Sequence, residues 1–431
     1  MGIIILISLI LFELVFLVWN IAEKDFHQKE KAAAAIAVYL IFTVLCCTGV
    51  IEWGFRYIAI GIILAFQTVI AVTKVVKKSS EQTSENVIAM SIWKFTVKSL
   101  MYAAALVIAI ICPQFSEPEP TGEYNVLEAK YTWTDESRAE TFSDAGGSRK
   151  VTVRVWYPEN CPERTPLVIF SHGAFGFSGS NYSTCTELAS RGYTVAGIDH
   201  TYHSLFTADT DGNITIADTG FINDVMKNNT EDDPEKEFSD SHSWLELRVE
   251  DINFVINKII SLAETNDAVF TNTDTSKIGL IGHSLGGAAA AETARRRNDI
   301  TSVVNLDGTL IGDELSETTN SDVPFPVPML SIYSEYHYNK ALEYEKTGSE
   351  YVNFHTERIS DNITSTHFKN SGHLNFTDLP LFSPLLGKAL GTMGTGDIDS
   401  LYCITTMNRL TADFFDITLK GAEIPVIEKE Y

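Results

Sequence analysis

Lys277-Ile-Gly-Leu-Ile-Gly-His-Ser-Leu-Gly-Gly-Ala-Ala-Ala290 decides the reading of this chain. Ile278, Leu280 and Ile281 make a short apolar run that predicts a buried strand. Gly282-His-Ser-Leu-Gly286 follows at once, and the small residues from Gly287 open a helix that continues through Glu292 and Arg295. Strand, G-x-S-x-G and helix together are the context in which this motif makes a nucleophile elbow. A sharp turn would lift the Ser284 oxygen above the sheet. Gly282 and Gly286 leave room where strand and helix pack. The Leu285 amide would then sit at the positive end of the helix, where developing negative charge is favoured.

The rest of the chain is strongly asymmetric. Its 431 residues exceed an ordinary single domain, and its net charge of −24 excludes the clustered basic surface that nucleic-acid binding needs. Before Pro113 the apolar residues come in long runs; after it they come in short pieces. Four runs are long enough to cross a bilayer: Ile3–Trp19, Ala32–Ile51, Tyr57–Thr73 and Phe95–Cys112. The first contains Glu13, a costly mid-span carboxylate expected to face the bundle, protonated or hydrogen-bonded, with a relay role as the alternative. It lacks the basic start of a signal peptide, so retention is expected. Lys24, Lys29 and Lys31 precede the second run, and Lys74, Lys77, Lys78 and Lys94 precede the fourth. The positive-inside rule puts both groups in the cytoplasm and everything after Pro113 outside. Cys161, Cys185 and Cys403 form an odd set that allows one disulfide or none.

Three regions are expected: a transmembrane helical region at 1–113, an acidic Pro-rich linker at 114–123, and a catalytic domain at 124–431. Lys130–Thr134 and Lys150–Tyr157 alternate like half-exposed antiparallel strands around a turn at 144–148. Pro166–Phe170 and Thr194–Ile198 are continuous apolar runs that suit a parallel sheet covered on both faces, with Asn181–Arg191 as the crossover helix. Residues 202–243 read as a polar excursion, a lid or a loop without order, before a helix at Trp244–Ile260. His200, His203 and His242 lack partners at metal-ligand spacing, so neither metal nor cofactor is expected.

Ser171-His-Gly-Ala-Phe-Gly176 follows a buried strand, where the amide of Ala174 or of Phe175 could pair with that of Leu285 as an oxyanion hole. Two carboxylates follow later strands, Asp307 and Glu335, and His373 lies in a glycine-bearing loop after the last one. Serine, acid, histidine is the chain order of α/β-hydrolases. His283, inside the elbow, must point its side chain away from the serine and is expected to be a packing or supporting residue.

Gly282-His-Ser-Leu-Gly286, Ser171-His-Gly173, Asp307, Ser334-Glu-Tyr336 and Gly372-His-Leu-Asn-Phe-Thr-Asp378 together resemble the plasma-type platelet-activating-factor acetylhydrolase family. The resemblance covers roughly Tyr124 to Leu419 and implies an α/β-hydrolase that cleaves short or oxidised sn-2 acyl chains from phospholipids without calcium. It implies Ser284 as nucleophile, Asp307 as acid, His373 as base, and Ala174 with Leu285 as oxyanion amides, leaving Glu335 and His283 as supports. The amino-terminal membrane region departs from that family. Dienelactone-hydrolase-like and cutinase-like esterases, an acyltransferase, and a non-catalytic membrane sensor with a retired hydrolase domain are the other readings.

Overall fold

A computed structural model describes residues 1–76, 86–115, 117–143, 146–228, 234–313, 322–391, 394–423 and 427–431. The chain divides into two compact units, one of Met1–Ser116 with Phe382–Leu386 and one of Glu117–Leu381 with Gly387–Tyr431.

The first unit contains α1 (Gly2–Glu23), α2 (Gln28–Cys47), α3 (Ile58–Val76) and α4 (Val87–Ile111), each long and apolar enough to cross a membrane. Leu9, Ile60, Leu64 and Leu106 pack in its interior, while Ile4, Ile62, Phe66 and Leu100 point outward and are exposed. A helix that is apolar on all sides needs an apolar surrounding for its outer face. The fourth helix starts at Val87 rather than Phe95, because Ile88, Met90, Ile92 and Trp93 extend the apolar run on the far side of Lys94.

The second unit is built on an eight-stranded sheet. Its strands, in chain order, are β1 (Val126–Ala139), β2 (Ser148–Pro158), β3 (Thr165–Ser171) and β4 (Thr194–Asp199), then, after a separate hairpin of β5 (Phe206–Ala208) and β6 (Ile214–Ile216), β7 (Thr273–His283), β8 (Ile300–Leu306), β9 (Met329–Ser334) and β10 (Ile363–Phe368). The spatial order is β1-β2-β4-β3-β7-β8-β9-β10. β1, β2 and β4 pair antiparallel, and every pairing from β4 through β3 to β10 is parallel. All residues of β3 and β4 are buried, as strands covered on both faces must be.

The helices form two layers. They are α5 (Tyr182–Ser190), α6 (Thr219–Asn228), α7 (Pro234–Ala263), α8 (Leu285–Arg296), α9 (Glu335–Lys346), α10 (Val352–Ile359), two short turns α11 (Leu379–Phe382) and α12 (Pro384–Ala389), and α13 (Ser400–Lys420). On one face Leu245, Val249, Ile252, Val255, Ile256 and Ile259 of α7 meet the Ala288–Ala291 run of α8 and the sheet. At about 1.5–3 kcal/mol for each large apolar side chain removed from water, those six residues contribute on the order of 10 kcal/mol before entropy is counted. On the other face Leu188 of α5 packs with Met407, Leu410 and Phe415 of α13. This is the three-layer α/β-hydrolase arrangement. It places β7 in the middle of the sheet, with the carboxyl ends of the parallel strands as the natural place for a site.

One expectation needs adjustment. Residues 202–228 carry an ordered hairpin and α6, and α7 is already helical from Pro234, ten residues before the apolar stripe begins at Trp244. Residues 236–243 are mostly polar and partly or fully exposed, so no apolar periodicity announced these turns. The turn expected at 144–148 falls partly outside the described residues. All six cysteines are free thiols, so Cys161, Cys185 and Cys403 are not bridged.

Candidate active site

β7 runs straight into the elbow. Ser284 adopts φ 56° and ψ −125°, a conformation that a residue with a Cβ holds only under constraint. The constraint is the packing of its neighbours. A Cβ on Gly282 would lie 2.1 Å from the Gly286 carbonyl oxygen, and one on Gly286 would lie 2.0 Å from the Ser171 carbonyl oxygen. Backbone therefore touches backbone on both sides of the serine. The Ser284 amide donates to the Leu306 carbonyl at 2.9 Å, which fixes the elbow to the end of β8.

Asp307 is the next residue after β8 and also has a positive φ, 56°. Its buried carboxylate accepts the Ser334 amide and hydroxyl, both at 2.7 Å. His373 Nδ1 lies 2.8 Å from Asp307 Oδ2. With Nδ1–H donating there, the tautomer leaves Nε2 free to accept a proton. Burial alone would raise the Asp307 carboxyl, but the charges and hydrogen bonds of His337 and His373 hold it well below the usual carboxylate range. Among the described residues no hydrogen-bond partner engages the Ser284 hydroxyl.

Glu335 makes a different contact. It is the first residue of α9, and its Oε2 accepts the Asn370 amide at 2.8 Å while its own amide donates to Ser371 Oγ at 3.2 Å. It braces the loop that carries His373. The motif His373-x-Asn375-Phe-x-Asp378 does the same from the other side. Asn375 Oδ1 accepts the amides of Gly372 and Gly396, each at 2.8 Å, and Asp378 Oδ2 accepts the Ser183 amide at the start of α5. His283 packs beneath His373, its ring centroid 4.5 Å away and its Nε2 3.0 Å from the His373 carbonyl. Burial, with the nearby His373, lowers His283 to about 3, so it is a neutral packing group.

The turn after β3 faces the serine: a Cβ on Gly173 would lie 3.2 Å from Ser284 Cβ. Among the described residues no acceptor takes the amides of Ala174 or Leu285. The turn is held from behind by Arg248 of α7, which is fully buried and donates to the carbonyls of both His172 and Gly173. Fixing those two oxygens on one side leaves the following amides on the other.

Sequence reading missed His337. Its Nδ1 also lies 2.8 Å from Asp307 Oδ2, so two histidines share one oxygen. Asp307, His337 and His373 are the one group among the described residues whose ligand atoms cluster closely enough for a cation. Sequence reading also missed Arg248 and the buried line Ser171–His200–Asp251. Ser171 Oγ is 2.9 Å from His200 Nε2, and His200 Nδ1 is 3.0 Å from Asp251 Oδ2. That second serine–histidine–aspartate line has no access to solvent, and Asp251 is taken up by Arg149 and Arg138. It is an internal brace. His203 and His242 make no metal cluster with it among the described residues; His203 stacks on Phe221 and His242 bonds the Phe238 carbonyl.

The family model for platelet-activating factor acetylhydrolase, isoform II, matches residues 120–422. The chain belongs to this family. Similar proteins within it include a platelet-activating factor acetylhydrolase of Cavia porcellus, 28% identical over 62% of this chain and 61% of its own length. A probable 1-alkyl-2-acetylglycerophosphocholine esterase of Arthroderma benhamiae is 25% identical over 60% of this chain and 62% of its own length. The chain thus spans about three-fifths of the length of these curated relatives. Among solved structures, the ferulic acid esterase of Streptomyces cinnamoneus has a TM-score of 0.54 at 21% identity, covering 72% of this chain and 94% of that one, which agrees with the shared fold.

Proposed function

We propose that this chain is a membrane-anchored serine esterase that hydrolyses carboxylic esters of phospholipids, in the first place short or oxidised sn-2 acyl chains. The observation that supports it most directly is the 2.8 Å contact between His373 Nδ1 and Asp307 Oδ2 in the unit that carries the Ser284 elbow. In this reading His373 Nε2 takes the Ser284 proton as Oγ attacks the ester carbonyl. The amides of Leu285 and Ala174 receive the oxyanion. The tetrahedral adduct collapses, the alcohol leaves with the proton from His373, and an acyl-Ser284 remains. Water, deprotonated by His373, then releases the acid and restores the serine. Asp307 keeps the imidazole oriented and stabilises its charged form throughout.

Two features favour a hydrophobic ester. The names of the relatives in this family point to acetylated ether phospholipids. The β5–β6 hairpin, tied to the oxyanion turn by the Leu205 amide on the Gly176 carbonyl, exposes Phe206, Ile214 and Ile216. In the same reading residues 1–113 form the membrane anchor, 114–123 a linker and 124–431 the catalytic domain. The Lys-rich connections lie in the cytoplasm and the catalytic domain lies outside.

A panel of short and long p-nitrophenyl esters and of acetylated, oxidised and long-chain phospholipids tests the reading, with fluorophosphonate labelling of Ser284. Turnover of the short-chain esters that persists in EDTA is expected. Absence of both labelling and turnover in folded protein would leave a non-catalytic membrane protein. Protease added to intact cells should cut within 114–123; protection there would overturn the orientation.

A further inference from the structure

The helical unit holds a polar centre that the esterase reading does not use. Glu13, midway along α1, is almost fully buried. Lys31 Nζ of α2 lies 2.5 Å from its Oε2, and Lys98 Nζ of α4 lies 2.6 Å from its Oε1. The Tyr102 hydroxyl oxygen lies 3.3 Å from the same carboxylate. Two ammonium groups on one carboxylate leave an excess of positive charge, and each lysine keeps further N–H donors to offer.

A cavity of about 320 Å³ opens beside this centre, and Lys74 and Lys94 line it as well. Among the described residues Glu13 is the one acidic residue in its wall against four lysines, a formal excess of three positive charges. Lys94 Nζ sits over the Phe26 ring, and among the described residues no carboxylate pairs with Lys74 or Lys94. The wall also carries unused polar atoms. Gln67 Nε2 is buried without a partner while Gln67 Oε1 accepts Tyr102. Asn20 is buried with one amide atom bonded to Ser91 and the other unpartnered. Unpaired like charges around a partly enclosed space repel one another, and orphaned buried amides carry a desolvation cost. An anion with several acceptor oxygens would relieve both.

The cavity lies towards the end of the bundle where α1 and α3 finish and α2 and α4 begin. Lys98 is roughly 16 Å along α4 from its start, so the positive wall reaches well into the helices. We propose that this cavity binds a phosphate-bearing anion, either the phosphodiester of an anionic glycerophospholipid headgroup or a soluble phosphate monoester. The lipid source rests on the membrane-anchored reading given above; the soluble source does not.

The test uses the full chain purified in mild detergent. Native mass spectrometry would compare retention of dioleoylphosphatidylglycerol and dioleoylphosphatidylcholine, and thermal shift would follow glycerol 3-phosphate and inorganic phosphate. The expected result is about a tenfold preference for phosphatidylglycerol, or a matching saturable stabilisation by the soluble phosphates. The first outcome names the headgroup as source and the second names the soluble anion. Lys74→Gln with Lys94→Gln leaves the Glu13 pairs intact and should weaken binding about tenfold with ester turnover unchanged. Glu13→Gln should strengthen binding, because it removes the competing anion and frees Lys31 and Lys98; loss of a purely structural pair would not. Equal retention of both lipids with no response to either phosphate, or binding unaltered by the double substitution, would overturn the proposal. Recovery of the chain in the soluble fraction without detergent would instead count against the membrane reading.

Discussion

His337 and His373 place their Nδ1 atoms 2.8 Å from one and the same oxygen, Oδ2 of Asp307. The carboxylate therefore divides its charge between a buried ring and one that is 29% exposed at its side chain. His337 does not need to touch substrate to matter. Its Nδ1 holds the same carboxylate oxygen that orients the His373 ring.

His337→Phe should accordingly lower kcat by less than about tenfold with KM little changed, in keeping with a positioning residue. His337→Asn, whose amide can still donate to Asp307, should recover most of that loss. An unchanged kcat in both variants, or no difference between them, would mean that the second histidine is only packing.

The acid is tested by comparing two carboxylates. Asp307→Asn should keep the fold and lower kcat by about 10⁴, as loss of the histidine-orienting charge does in other triads. Glu335→Gln should cost about 10-fold to 100-fold, since Glu335 Oε2 holds the Asn370 amide and leaves the imidazole alone. Greater damage from Glu335→Gln in folded protein would reverse the assignment.

Ser284 is held at φ 56° by its neighbours. Ser284→Ala should remove nearly all turnover with little change in melting temperature, because alanine bears the same backbone constraint. Ser284→Gly should be equally inactive yet melt a few degrees higher, since glycine relieves strain worth about 1–3 kcal/mol. A tenth of the wild-type rate surviving in either variant would show that another residue is the nucleophile.

The buried histidines predict acid lability. Burial lowers His200 to about 4, His203 to about 2 and His283 to about 3, and holds His172 well below its ordinary value. Each binds a proton in the unfolded chain near pH 6.5 but not in the folded one. The unfolded state therefore gains protons first, and stability falls with decreasing pH from about 6.5 towards 4, by several kcal/mol per pH unit if all four act. Asp307 and Asp251, both held below the usual range, add a further loss only below about pH 4, where the unfolded carboxylates protonate. Urea midpoints measured from pH 7.5 to 4.5 should decline over the first interval. A flat profile down to pH 5 would show that these rings are not kept neutral.

Much of the central sheet could be read from the chain because β3, β4, β8 and the 278–283 half of β7 are covered on both faces and so are largely apolar. The elbow was legible for the same reason, since its glycines answer to packing. What escaped notice was polar: the first turns of α7, the β5–β6 hairpin, and the helices α9 and α10, whose exposed faces leave short or broken apolar patterns. The pairing of His337 with Asp307 was hidden differently. Ser334 caps α9 by accepting the His337 amide, and that first turn folds the ring back over the end of β9. A histidine three residues after a strand-ending serine is a signal, but its partner lies thirty positions earlier in the chain. Arg248 gave no signal at all, because an arginine inside an apolar helical stripe reads as a solvated edge until its carbonyl partners are known.

The contacts around Gly282 and Gly286 bear on how such a domain would age. Neither glycine has space for even a methyl group, whereas the serine between them points away from that contact. Chemistry could be lost by changing one side chain while the pair of glycines stayed fixed by the fold. A descendant without esterase activity could keep both glycines and replace Ser284, so the glycines report the fold, while Ser284 with Asp307 and His373 reports the chemistry proposed for it.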